Sequence, residues 1–425
     1  VKRISVKRLK HEGAVTASTV ASSELPARNS RARFTFHGNV RDTRYGWLRL
    51  TPAYSVHLVR ELLESRARPD LPVLDPFCGT GTTLLTCAEL GIPCATVDVN
   101  PFLVWLARAK TANYSVNALT RAAALLADMS VAARSRGNAS WLPSLFQIEK
   151  WWARPTLHAL GRAFAALQDS DAPKGAQDLA KLAFCRSLIK TANVSFGHQS
   201  MSFADVDTSA GAARRVAEAL SDAFAPICAA ARVALPKSAR RVVLGDARQL
   251  ENVGESASFG TVVTSPPYVN RMSYVRELRP YMYWLGYLEQ PKDAGELDWQ
   301  AIGGTWGSAT SRVATWHSDV AQPLAKLSGL GKRIAQHSDV LARYVDKYFF
   351  DMLLHVKSLS RLIARGGQVH YVVGNSKFFD VLVPVEQLFA EIFELCGFRD
   401  ASVTTLRKRT SKRELYEYLV SATKR

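Results

Sequence analysis

The stretch from residue 71 to residue 112, "LPVLDPFCGTGTTLLTCAELGIPCATVDVNPFLVWLARAKTA", limits the fold more than any other part of the chain. "LPVLD" is a short apolar run suited to a buried strand, and "GTTLLTCAEL" has the apolar spacing of a helix that Gly91 closes. "CATVDVN" repeats the strand. "PFLVWLARAKTA" repeats the helix, with Pro101 in its first turn, where a missing N–H costs nothing. This βαβα order predicts an α/β fold with a doubly wound, mostly parallel sheet.

The turn between the first strand and its helix carries the chemistry. Asp75 ends the strand, and Gly79 and Gly81 open the helix, permitting a tight turn and a close approach to backbone N–H groups. A phosphate loop would need Gly-Lys-Ser/Thr, which is absent, and Leu84 stands where a dinucleotide loop has its third glycine. Neither matters for a ligand without a pyrophosphate. Asp98, at the end of the next strand, either accepts hydrogen bonds from ribose hydroxyls or caps the helix that begins at Pro101. The unit as a whole points to an adenosine-bearing cofactor.

The other informative stretch is "FGTVVTSPPY". A β-branched run leads into two prolines, which forbid further ladder bonding. The product is a rigid loop at a strand's C-terminal end, where ligand sites of open α/β sheets lie. Between the two stretches, residues 113–238 read as helical almost throughout. That is too long for one crossover, so a helical insertion is expected there. A helix at "LTPAYSVHLVRELLESR", with apolar Val56, Val59, Leu62 and Leu63, precedes the first strand. "RVVLGDA" and "FGTVVT" continue the sheet. After an irregular insertion at 290–335 come a long helix, the strand "QVHYVVGN", another helix, and "ASVTTLRKR" and "ELYEYLVSAT" as a closing antiparallel pair. The expected organisation is a flexible basic arm over 1–30, one α/β domain from 31–112 and 239–425, and the two insertions.

Lys and Arg number 55 against 37 Asp and Glu, a net charge of +18. A surplus of this size favours a polyanionic partner, because neutralising phosphates releases counterions. Basic residues cluster in "VKRISVKRLK", "RNSRARFTFHGNVRDTRYGWLR", "RMSYVRELRPYMY" and "LRKRTSKR". The second and third interleave aromatic rings, a mixture that holds phosphates and stacks bases. Six cysteines without CxxC spacing indicate neither zinc nor a disulfide framework. His37, His57, His317, His355 and His370 lie in no metal-binding spacing, so no metal is expected. No apolar run is long enough for a bilayer and no basic-then-apolar leader opens the sequence, so a cytoplasmic, nucleoid-associated setting without a membrane is expected.

"DPFCGTGTT" followed by "TSPPY" resembles the S-adenosylmethionine-dependent amino-methyltransferases of DNA, in particular the cytosine-N4 branch. The resemblance implies a seven-stranded methyltransferase sheet with an antiparallel terminal strand. It implies double-stranded DNA as substrate and, for the modification half of a restriction system, a cognate endonuclease as partner. By resemblance, Ser265, Pro266, Pro267 and Tyr268 hold the target amine. A leading Ser is typical of the N4 enzymes, and Asp of adenine-N6 enzymes. "RYGWLRLTPAYSVHLVRELL" looks like the family's cofactor-covering entry, which brings in Tyr45, Leu50, Thr51 and Pro52. "GDAR" looks like the segment beside the adenine, with Asp246 and Ala247. The remaining cofactor positions are Asp75, Phe77, Gly79, Gly81, Thr82, Thr83, Asp98, Val99, Asn100 and Thr264, with Thr82 and Thr83 either capping the helix or reaching the cofactor carboxylate. About 180 residues separate the two motifs, so target recognition is expected in one of the insertions.

A cytosine in a duplex hides its N4 amine and must be turned out into a pocket. The Pro266 carbonyl and the Ser265 hydroxyl would each accept one amine hydrogen and orient the lone pair, and Tyr268 would stack the base. Ser265 then orients, with proton transfer optional. Asn270 is a candidate for reading the base edge. Arg271, Arg276 and Arg279 are either phosphate contacts or a solvated helix face. Adenine-N6 or RNA base-amine methylation remains open, although RNA guanine-N2 enzymes usually carry Asp-Pro-Pro-Tyr. So does a non-catalytic DNA-binding protein of the same fold.

Overall fold

The computed structural model describes residues 34, 43–48, 54–195, 202–204, 210–271, 273–305, 308–318, 323–409 and 414–425. The basic arm over 1–30 and the positions Leu50, Thr51 and Pro52 lie outside the described residues. Helix α1 (Val56–Arg66) leads into β1 (Val73–Asp75), α2 (Thr82–Leu90), β2 (Cys94–Asp98) and α3 (Pro101–Thr111). Four long helices follow: α4 (Val116–Arg134), α5 (Arg154–Gln168), α6 (Lys174–Lys190) and α7 (Ala212–Ala231). The sheet resumes with β3 (Arg240–Leu244) and β4 (Phe259–Thr264). Next come α8 (Tyr274–Trp284), α9 (Pro291–Gln300), α10 (Ser308–Thr315), α11 (Ala325–Ala335) and α12 (Asp339–Leu362). The chain closes with β5 (Ile363–Gly374), α13 (Val385–Leu395), β6 (Phe398–Lys408) and β7 (Tyr416–Lys424).

The architecture is α/β. Seven strands form one sheet in the order β3-β2-β1-β4-β5-β7-β6. The first five run parallel, and β7 and β6 are antiparallel to their neighbours. Side chains alternate across the sheet with the period of two that a strand imposes. Val73, Cys94, Val263 and Val372 face α1 and α2. Leu74, Ala95, Val262, Val369, Tyr371 and Val373 face α12 and α13. Helices thus cover both faces, which is why β1 and β4 are buried along their whole length. The free edge at β3 carries Arg240 and Arg241, charges that discourage a further strand from pairing.

The helical insertion packs on the outer side of α3, through Phe102, Trp105, Leu106 and Ala109. Arg44, in a short 3-10 turn, pins the two parts together. Its guanidinium donates to the carbonyls of Lys110 and Ala112 at the end of α3 and of Ala230, Ala231 and Val233 at the end of α7. A buried cation here satisfies carbonyls that both helices leave open and complements both dipoles. The 290–335 segment, expected to be irregular, contains α9, α10 and α11 instead. Its Gly and Ser residues hid short amphipathic stretches such as "AKLSGLGKRIA". On α1, Leu58 is buried and Val56 only half-buried, a small rotation from the expected face.

Candidate functional site

Strand β1 has β2 on one side and β4 on the other, so the chain direction of connection reverses between β1 and β4. A crevice opens at such a point beyond the carboxyl ends of the strands. Here the Gly loop leaves β1 and the Ser-Pro-Pro-Tyr loop leaves β4. The two are joined at the base by Thr264 Oγ1, which donates to Asp75 Oδ1 at 2.6 Å. Both loops border one cavity of about 400 Å³.

On the Gly-loop side the cavity is lined by Phe77, Cys78, Gly79, Thr80 and Thr82, and by Asp98, Val99 and Asn100 at the end of β2. Asp98 Oδ2 accepts the Gly79 N–H at 2.9 Å and Oδ1 accepts that of Asn100 at 2.9 Å. Burial raises its pKa to about 6. The cap of α3 is Asn100, whose side chain accepts the Phe102 N–H, so Asp98 does not cap that helix. Gly81, at φ 77°, is the N-cap of α2, and a Cβ there would lie 3.3 Å from that of Ala107. Neither Thr82 nor Thr83 caps the helix. Thr83 turns away from the cavity, giving its hydroxyl to the Val263 carbonyl and meeting the Tyr54 hydroxyl. Asp75 and Thr264 likewise lie behind the wall, and burial lifts the Asp75 pKa to about 7. Lys110 lies beneath the loop, its Nζ donating to the Thr80 carbonyl at 3.0 Å, and burial lowers its pKa to about 8.

Asp246 and Ala247 also line the cavity. The Asp246 carboxylate is gripped by Arg248, whose Nε lies 3.0 Å from both oxygens and whose Nη2 lies 2.6 Å from Oδ2. Arg248 continues to Asp351 and to the Gln300 carbonyl, binding this wall to α12 and to the 300–302 segment opposite. Tyr45 is not part of the site. It packs with Leu85, Ala88 and Leu235, and its hydroxyl meets Thr86 and Glu89.

The second loop contributes Ser265, Pro266, Pro267, Tyr268 and Asn270. Ser265 Oγ donates to the Val372 carbonyl at 3.1 Å, which leaves its lone pairs as acceptors. The Pro267 carbonyl accepts the Tyr348 hydroxyl at 2.7 Å, and Pro266 lies beyond the last ladder pair, Thr264 with Tyr371. The Tyr268 N–H donates to the Tyr274 hydroxyl, and its own hydroxyl donates to Glu417 Oε1 at 3.2 Å. Its ring packs on Gly374, where a Cβ would fall 2.8 Å from a ring carbon. Sequence reading missed Tyr54, Tyr274, Arg407, Arg409 and Glu417, all lining residues. "LRKR" was legible only as a basic cluster. Arg271, Arg276 and Arg279 do not line the cavity. Arg271 and Arg276 are exposed and Arg279 half-buried, on or just before a helix whose other face is buried.

The set offers backbone N–H groups, an ionisable carboxylate and an apolar floor on one side. A hydroxyl acceptor and an aromatic ring stand on the other. That suits a nucleoside-bearing cofactor beside a flat polar substrate.

No family model matches the chain. Over 429 residues it is 23% identical to the Type II methyltransferase M.BsoBI of Geobacillus stearothermophilus, covering 89% of this chain and 83% of that protein. Over 73 residues it is 36% identical to the Type II methyltransferase M.AvaI of Nostoc sp., a match that spans 17% of this chain and only 15% of that relative. Among solved structures, a SAM-dependent methyltransferase from Methanosarcina mazei superposes loosely, at a TM-score of 0.31 and 9% identity, covering 89% of this chain and 99% of that one.

Proposed function

We propose that this protein transfers a methyl group from S-adenosylmethionine to the exocyclic N4 amine of a cytosine turned out of duplex DNA. The observation that carries the reading is the meeting of the Gly loop and the Ser-Pro-Pro-Tyr loop in one cavity, joined through Asp75 and Thr264. The likeness to proteins named Type II methyltransferases and the net charge of +18 support the same reading.

When bound, the cofactor supplies an electrophilic methyl group on a sulfonium. The residues that would hold it are the backbone of 77–80, Asp98, Val99 and Asn100, with Asp246 and Ala247 as the wall beside its base. Asp98 accepts ribose hydroxyls through the lone pairs that Gly79 and Asn100 leave open. Ser265 accepts one amine hydrogen, because its own proton is committed to the Val372 carbonyl. The Pro266 carbonyl accepts the other. Tyr268 stacks the base, worth about 1–3 kcal/mol in comparable sites. Alignment does most of the work in such a displacement. The methylated nitrogen is cationic and passes its proton to solvent, so Ser265 has no need to act as a base.

The test is incubation with labelled cofactor and duplex oligonucleotides, followed by nucleoside analysis. N4-methylcytosine is expected; N6-methyladenine or N2-methylguanine refutes the assignment. Ser265→Ala should keep cofactor affinity in calorimetry while kcat falls about a hundredfold, the scale of losing one well-placed hydrogen bond to a reacting group.

A further inference from the structure

The terminal hairpin builds the part of the cavity wall that touches Tyr268. Three of its charged side chains, Arg407, Arg409 and Glu417, line the cavity. Arg407 and Glu417 are partners in the β6–β7 ladder. Arg407 grips both carboxylate oxygens, with Nε at 2.6 Å from Oε2 and Nη2 at 2.9 Å from Oε1. Those two charges neutralise each other. Arg409 has no carboxylate within ion-pairing distance among the described residues. Its Nη1 is anchored on the Asn375 carbonyl at 2.8 Å, and its guanidinium carbon lies 5.0 Å from the centre of the Tyr268 ring. A guanidinium carries five N–H donors, so anchoring one leaves a planar fork with donors to offer inside the cavity.

We propose that Arg409 is a specificity-determining residue that reads the target base, donating to N3 and O2 of cytosine while the amine rests at Ser265 and Pro266. This inference rests on the function proposed above. Next to its amine, cytosine presents two consecutive acceptors, N3 and O2. Adenine presents one acceptor and then a C–H, and guanine presents an N–H beside its amine. Two parallel N–H donors match only the first of these edges. Selection of cytosine thus does not depend on the serine that heads the loop, and Arg407, tied to Glu417, does not compete for the base.

The experiment compares duplexes carrying cytosine or 3-deazacytosine at the mapped target position. It measures kcat/KM for the wild type, Arg409→Met and Arg409→Lys. The wild type should lose about ten- to a hundredfold on the analogue, the range for one good bidentate contact. Arg409→Met should lose a similar factor on cytosine and almost nothing further on the analogue. Arg409→Lys keeps the charge without the fork and should fall between. A wild type indifferent to the analogue overturns the inference, and that arm needs no variant to fold. Losses that simply multiply in Arg409→Met overturn it as well. Absence of any N4-methylcytosine from the wild type would show earlier, before the analogue is used, and would bring down the proposed function itself.

Discussion

Thr264 and Asp75 end neighbouring strands, and the 2.6 Å hydrogen bond between them joins the two loops that form the cavity. Asp75 also accepts the Phe77 N–H, yet its second oxygen is buried without a partner among the described residues. The carboxylate is therefore kept dry at the junction, and its pKa rises to about 7.

That shift has a stability consequence with a definite sign. An aspartate that holds its proton more tightly when folded contributes fully below its unfolded value, ~3.9, and loses that contribution as pH rises through the folded value. Asp75→Asn removes the proton exchange. The unfolding free energy of the wild type relative to Asp75→Asn, from urea titrations, should fall between pH 4 and pH 7 and level off above. A difference that grows over this window would contradict the assignment.

Asp98 titrates lower, at about 6, and borders the cavity. Its ionised form is the better acceptor for ribose hydroxyls. Cofactor affinity should weaken about tenfold from pH 7 to pH 5, the proton competition expected for such a group. Calorimetry across that range checks it, and Asp98→Asn should bind weakly with a flat profile.

Gly374 is a glycine because Tyr268 and Arg409 leave it no room. A Cβ would lie 2.8 Å from a Tyr268 ring carbon and 2.7 Å from Arg409 Nη1. Gly374→Ala should cost about 1–3 kcal/mol, as overpacking does. Methyl transfer should fall more steeply than cofactor affinity, because the displaced groups, Tyr268 and Arg409, are those proposed above to hold the substrate. Steady-state kinetics beside a cofactor titration separates the two.

Arg44 should behave as a structural residue only. Arg44→Met leaves five carbonyls at the ends of α3 and α7 without their donor and should destabilise the fold by about 3–5 kcal/mol. Chemical denaturation reads the loss directly. Residual folded protein should still bind cofactor.

Both loops and all seven sheet strands were legible in the sequence, because their signals are local: a β-branched run, then Gly-Thr-Gly or Pro-Pro. What stayed hidden arises from contacts between distant segments. Arg44 meets carbonyls up to 189 residues away, and no local pattern marks a side chain that bonds only to backbone. Tyr45 was expected on the cofactor's wall, yet its ring packs against the outer side of α2. Arg409 and Glu417 enter the site only because β7 pairs beside β5 and brings its hairpin over Tyr268. The arginines of "RMSYVRELRP" were readable either as phosphate contacts or as a solvated helix face. Arg271 and Arg276 are exposed and Arg279 half-buried, outside the cavity lining, while the apolar side of the helix is buried.

That helix, α8, begins six residues after Tyr268 and ends at Trp284, wedged edge-on among Trp141, Trp152, Phe164 and Phe184 of the helical insertion. Interiors packed this closely yield by discrete jumps and transmit strain. The insertion and the Ser-Pro-Pro-Tyr loop are therefore joined through one helix, which Pro280 interrupts midway. Loosening the aromatic seat of Trp284 should therefore be felt at Tyr268, whose N–H is held by the Tyr274 hydroxyl at the other end of the same helix.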